Sequence, residues 1–160
     1  MTIQKAQTSE VEEIRDLLSI TWNDAYSHLY TPEAISTVRS KWHRTDLISE
    51  QISHPRILFL TAKDGPKIIA MCNTDIFKDS RVNIQRLHVL PSYQRQGIGS
   101  KLLKKVFSSF PKIKRFDLEV EKQNKKAISF YKKEGFYKAG EKTLTISGVQ
   151  MPCFIMEKVL

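Results

Sequence analysis

A chain of 160 residues can enclose one sizeable core, so a single domain over residues 1–160 is expected. At 41% hydrophobic and 27% charged it reads as globular, and no apolar run approaches the ~20 residues of a membrane span. The opening Met1-Thr2-Ile3-Gln4-Lys5 has no signal-peptide apolar segment, and two cysteines (Cys72, Cys153) outside any CxxC motif make no disulfide framework; a cytoplasmic location is the expectation.

The four histidines show no HxxxH or HExxH spacing, so no metal is expected. The net charge of +9 is localised: between Arg95 and Lys133 twelve Lys/Arg face three acids, and the remaining chain holds fourteen of each sign. That segment either cradles a polyanion or coats the solvent faces of two helices with lysine.

In chain order, Ile3–Ala6 predicts a short strand. Ser9-Glu10-Val11-Glu12 predicts a capping box opening a helix with Val11, Ile14, Leu17 and Leu18 on one face. Thr31-Pro32 reads as an N-cap with Pro at the first helical position, and a short helix follows over Thr45–Ser53. The period then changes. Ile57–Ala62 and Lys67–Phe77 are strands around the turn Asp64-Gly65-Pro66, and Arg81–Leu90 is another strand. Gly97–Phe110 is helical, Arg115–Glu121 a strand, and Asn124 caps a helix that Gly135 ends. Strands near Tyr137–Ile146 and Gln150–Lys158 close the chain. The order implies an α/β or α+β domain around a mixed sheet.

Strand, Gln94-Arg95-Gln96-Gly97-Ile98-Gly99, then helix is a phosphate-binding arrangement, because glycines let the backbone approach an anion that free helix N–H groups then bind. No P-loop lysine follows, and Leu102 stands where a dinucleotide fingerprint needs a third glycine, although Glu119 lies about twenty residues on. A coenzyme A pyrophosphate loop is the remaining reading.

Leu87-His88-Val89, Pro91, Gln94 to Ser100 and Leu102-Leu103 resemble the acetyl-CoA motif of the Gcn5-related N-acetyltransferases. Leu118-Glu119-Val120, Asn124, Ala127-Ile128, Phe130-Tyr131 and Gly135-Phe136 resemble that family's second signature. The resemblance implies a mixed, mostly antiparallel seven-stranded sheet flanked by about four helices, with a splayed parallel strand pair at the cofactor site. It implies backbone contacts to pantetheine from Leu87, His88 and Val89, with a free N–H near Val89 polarising the thioester. Gln94, Arg95, Gln96, Gly97, Ile98, Gly99 and Ser100 would hold the pyrophosphate, and Asn124 would contact pantetheine as well as cap its helix. Tyr131 matches the general acid, though by spacing it is equally a core aromatic. Glu119 sits where some members carry a base, and is otherwise a strand carboxylate. Gln85 occupies another base position and cannot serve. Strand alternation places His88 opposite Gln85, Leu87 and Val89, as a structural histidine.

The implied activity is direct transfer of an acetyl group from acetyl-CoA to a primary amine in a ternary complex. A small amine or polyamine is favoured over a protein N-terminus or lysine. Trp22, Asp24, Tyr26, Tyr30 and Trp42 either line an acceptor pocket or belong to the core. A CoA-binding module without catalysis and a basic nucleic-acid-associated protein are the competing classes; the second lacks any recognition motif. Similar proteins are commonly homodimers, and no segment here signals an interface.

Overall fold

The computed structural model describes residues 1–77 and 80–160. Seven strands form one sheet in the order β1-β2-β3-β4-β5-β7-β6. They are β1 Thr2–Lys5, β2 Ile57–Asp64, β3 Lys67–Phe77, β4 Arg81–Val89, β5 Arg115–Glu121, β6 Tyr137–Ile146 and β7 Val149–Val159. Five helices are described: α1 Val11–Tyr26, α2 Pro32–Trp42, α3 Thr45–Ser53, α4 Ile98–Ser109 and α5 Lys125–Lys133. Every strand pairing is antiparallel except that of β4 with β5.

Local chemistry accounts for most boundaries. Thr31 Oγ1 accepts from the Ala34 N–H at 3.2 Å, with Pro32 following as the first helical residue. Asn124 Oδ1 accepts from the Ala127 N–H at 3.1 Å. Gly135, at φ +88°, ends α5. One cap lies earlier than its sequence pattern suggests. A 3₁₀ turn, Thr8–Glu10, precedes α1, and the Glu10 carboxylate accepts from the Gln7 N–H at 2.9 Å; Ser9 and Glu12 play no such part.

Both faces of the sheet are covered. Leu102, Leu103 and Val106 of α4 and Ile128 of α5 pack with Val82, Ile84, Phe116 and Leu118 on one face. Ile14, Leu17 and Leu18 of α1 and Ile48 of α3 pack with Phe59, Ile68 and Met71 on the other. A third cluster joins Trp22, Ile35 and Val38 to Ile146, Met151 and Cys153 at the β6–β7 end.

The parallel pair determines where a ligand can enter. β4 and β5 are in register only at Arg81↔Arg115, Val82↔Phe116 and Asn83↔Asp117, whereas β5 follows β7 along its full length to Glu121↔Cys153. Just beyond the last β4–β5 pair, β4 carries a bulge: Thr74 pairs with Ile84 and Asn73 with Arg86, leaving Gln85 as the extra residue. A bulge bends its strand and ends local pairing. Here it stands where the two strands part.

Candidate active site

A cleft of about 1450 Å³ occupies the opening between β4 and β5. It is bounded by the 94–100 turn, the start of α5, the C-terminal part of α1 and the end of α2. Of the residues expected at the cofactor and catalytic site, Gln96 is the one that does not line it; its side chain bonds the Ser92 carbonyl at 3.1 Å.

The β4 edge offers unpaired backbone. Leu90 N–H donates to Ile69 C=O at 2.9 Å, and His88 pairs with Met71. Since successive N–H groups of a strand point to opposite edges, those of Leu87 and Val89 point into the gap. The main chain of His88 is therefore turned to β3, so only Leu87 and Val89 of the three expected residues present N–H groups to the cleft. The His88 ring shares a hydrogen bond with Thr21 Oγ1 at 3.1 Å, on the α1 side of the sheet. Burial and the adjacent Arg86 hold its pKa down to about 3, so it is neutral.

The bulge also revises the expected sidedness of Gln85. Met71 belongs to the α1–α3 face, so Asn73, two residues on, shares it, as do their partners His88 and Arg86. Gln85 Oε1 accepts from Asn73 Nδ2 at 2.9 Å, so its amide sits on the side of His88 and not opposite it. Leu87 and Val89 pack against the α4 side.

The turn after β4 ends in a helix start without a side-chain cap. Arg95 (φ +60°) and Gly97 (φ +76°) both take the left-handed conformation, and Gly97 is the N-cap of α4. The N–H groups of Ile98, Gly99 and Ser100 thus have no intrahelical acceptor and face the cleft end with the positive pole of the helix dipole. A Cβ at Gly97 would meet nothing within 4 Å, whereas one on Gly99 would stand 2.9 Å from Phe130 Cζ. The first glycine is needed for conformation, the second for α4 to lie against α5. Gln94 ties the turn to the strand and to α1, its amide reaching Val89 C=O at 3.2 Å and Asp24 at 3.3 Å. Ser100 Oγ donates to Glu134. Of the basic segment, Arg95, Lys125, Lys126 and Lys133 line the cleft, whereas Lys122 pairs with Glu141 and Arg115 with Glu157. The charge run is thus divided between residues that line the cleft and residues in surface ion pairs.

Tyr131 lies in the floor, its ring packed on Phe130 and Phe136 at centroid distances of 5.2 and 5.6 Å. It is both a core aromatic and a cleft residue. Burial, reinforced by Cys72 and Tyr26, pushes its phenol well above the ordinary value, so it keeps its proton throughout the neutral range. Glu119 lines the cleft in an ion pair with Lys142 at 3.0 Å, with Asn83 Nδ2 at 3.4 Å. Asn124 lines it as well as capping α5.

Trp22 packs at a tilt against Tyr26 at 4.6 Å and edge-on with Trp42 at 6.0 Å, and Tyr26 meets Tyr30 at 6.1 Å. These aromatics form a satellite core, and three of them (Trp22, Tyr26, Trp42) line the cleft. Asp24 also lines the cleft, where its carboxylate accepts from the Gln94 amide. Arg86 had no sequence signal. Its guanidinium donates to Gln51 Oε1 at 2.6 Å and to Trp42 C=O at 2.8 Å, fastening α2 and α3 to β4. Both cysteines are buried, and burial raises their pKa values, Cys72 to about 12 and Cys153 to about 11, which leaves inert thiols. Among the described residues, no helix is long and apolar enough to cross a membrane.

The acetyltransferase (GNAT) family profile matches residues 11–136. A spermidine N(1)-acetyltransferase of Thermoplasma acidophilum is 29% identical over 140 residues, 84% of this chain and 86% of that protein. Among solved structures, the PaiA N-acetyltransferase of Thermoplasma acidophilum in complex with coenzyme A superposes with a TM-score of 0.84 at 26% identity, covering 99% and 98% of the two chains. The ribosomal-protein-S18-alanine N-acetyltransferase of Escherichia coli shares the fold at 20% identity, with a TM-score of 0.74 and coverage of 99% and 92%.

Proposed function

The chain belongs to the acetyltransferase (GNAT) family and is an N-acetyltransferase; from that premise we propose that it carries an acetyl group from acetyl-CoA to a primary amine, with small amines and polyamines as its acceptors. The observation that carries this reading is the coincidence, in one cleft, of two unpaired β4 N–H groups, an open helix N-terminus and a buried phenol.

The residues suit the donor. A pantetheine arm needs a strand edge with unused N–H groups, and Leu87 and Val89 offer one. A pyrophosphate needs converging N–H groups and open space, and the Arg95–Ser100 turn has both at the end of α4. Lys125, Lys126 and Lys133 add a positive rim.

The chemistry then follows. The amine nitrogen forms a bond to the thioester carbon, the carbonyl oxygen gathers charge, and the C–S bond breaks. A donor on Val89 N–H answers the oxygen. Tyr131, protonated at working pH, gives its proton to the sulfur as the C–S bond breaks, and the phenolate recovers a proton from the acidic amine side or from water, which completes the otherwise uphill transfer. The proton lost by the amine goes to Glu119, directly or through water. Similarity to a protein named as a spermidine acetyltransferase supports the polyamine class.

The test is acetyl-CoA thiol release across monoamines, polyamines, aminoglycosides and peptides. Turnover with amines or polyamines is expected. Turnover confined to peptides, or none above hydrolysis, would overturn the acceptor assignment.

A further inference from the structure

Alternation along β5 places Asp117, Glu119 and Glu121 on the face opposite the α4 core, which takes Phe116, Leu118 and Val120. Two of the three carboxylates have a cation. Asp117 pairs with Arg81 at 2.9 Å and accepts from Asn83 at 2.7 Å, and Glu119 pairs with Lys142. Glu121 is the most buried of them, 2% exposed, yet among the described residues it makes no ion pair. Its described hydrogen bond is from the Gln123 N–H to Oε2 at 2.8 Å, and the residue lines the cleft. The Tyr30 phenol is a second neutral hydrogen-bonding neighbour, and a carboxylate removed from water and held by neutral groups alone is left without a counter-charge. Lys142 faces the same surface from β6 but is engaged by Glu119, and Lys122 by Glu141.

The surroundings of Glu121 suit a cation. Tyr26 and Tyr30 lie near enough that its charge adds to burial in raising their phenols, both to about 12. With Trp22 they form a continuous aromatic wall, and such faces attract ammonium groups. A second, independent feature points to a ligand. His43 is 3% exposed, lines the same cleft against Trp22 at 5.2 Å, and among the described residues neither of its ring nitrogens has a partner. Burial, with Arg86, His88 and Arg39, holds it neutral, so one nitrogen is free to accept an N–H. Arg86 places a positive charge on the α3 side, which directs a cationic chain toward Glu121 instead.

We propose that Glu121 and the cleft-lining rings of Trp22 and Tyr26 bind a second ammonium group of the acceptor, so that the enzyme selects diamines and polyamines over monoamines. This assignment rests on the amine-acetylation reading above, with attack at the Glu119–Tyr131 end of the cleft and the distal charge at Glu121.

Putrescine and n-butylamine differ only in the terminal ammonium, so their kcat/KM ratio isolates it. Wild-type enzyme should prefer putrescine at least about tenfold, the scale of one charged hydrogen bond. Glu121→Gln keeps an oxygen for the Gln123 N–H and should collapse most of that ratio, chiefly through KM for putrescine. Glu121→Asp should restore part of it. A wild-type ratio near unity, or a Glu121→Gln variant that slows both amines alike, would overturn this assignment while leaving amine acetylation standing. Acetylation of peptides alone would overturn the amine reading, and the assignment with it.

Discussion

Replacing Tyr131 with phenylalanine separates its two roles, because the ring packs and only the hydroxyl can transfer a proton. The ring contacts Phe130 and Phe136 through carbon, and phenylalanine preserves them. Removing the hydroxyl of this buried ring forfeits at most one hydrogen bond, a net loss of about 1 kcal/mol. A near-isosteric change of this kind should alter stability by less than about 1.5 kcal/mol. Turnover should respond very differently. Loss of a positioned general acid costs roughly 10²–10⁴ in rate, or about 3–5 kcal/mol of transition-state stabilisation. Because burial keeps the phenol protonated, the wild-type rate should show no loss from its ionisation in the neutral range. The assay is steady-state thiol release with a saturating amine, beside calorimetric acetyl-CoA affinity and thermal melting of the same preparation. A Tyr131→Phe enzyme turning over within about threefold of wild type, with melting preserved, would refute the acid assignment.

Two further outcomes test other parts of the structure. Gly97→Glu forces a left-handed φ on a side-chain residue, at about 1–2 kcal/mol, and places a carboxylate at the helix start; with nothing within 4 Å to clash, the fold should persist while acetyl-CoA binding disappears from calorimetry. Tight binding by that variant would remove the turn from the anion site. Histidines 43 and 88 are held neutral in the fold, at about 2 and 3 against an ordinary 6.5, so the unfolded chain binds more protons below pH 6.5 and stability falls as pH drops. Lowering pH from about 7 to about 5.5 should cost roughly 2–3 kcal/mol from the pair, measured by urea unfolding. Stability that is flat across that interval would contradict their neutral burial.

Much of the scaffold was legible because its signals are local. Thr31-Pro32, Asn124 and Gly135 bound their helices through bonds or backbone angles formed within a few residues. The apolar face of α4 and the turn at residues 94–99 were readable for the same reason. The family resemblance joined these pieces into a donor site, and all but Gln96 of the residues it nominated line one cleft.

Element order, the candidate donor loop and the candidate acid are thus readable from residues close in the chain. The rest depends on which strand lies opposite, and no local signal records that. Cross-strand register created the bulge at Gln85, moved its amide to the side of His88 and left only Leu87 and Val89 with open N–H groups. It paired Glu119 with Lys142 across β7, and left Glu121 without an ion pair among the described residues, beside the aromatic wall. Periodicity fixes a side chain's face, but the charge it meets there comes from residues distant in the chain. The turn proposed to hold the donor is therefore written locally, whereas the surface that would choose the acceptor exists only after the sheet has closed.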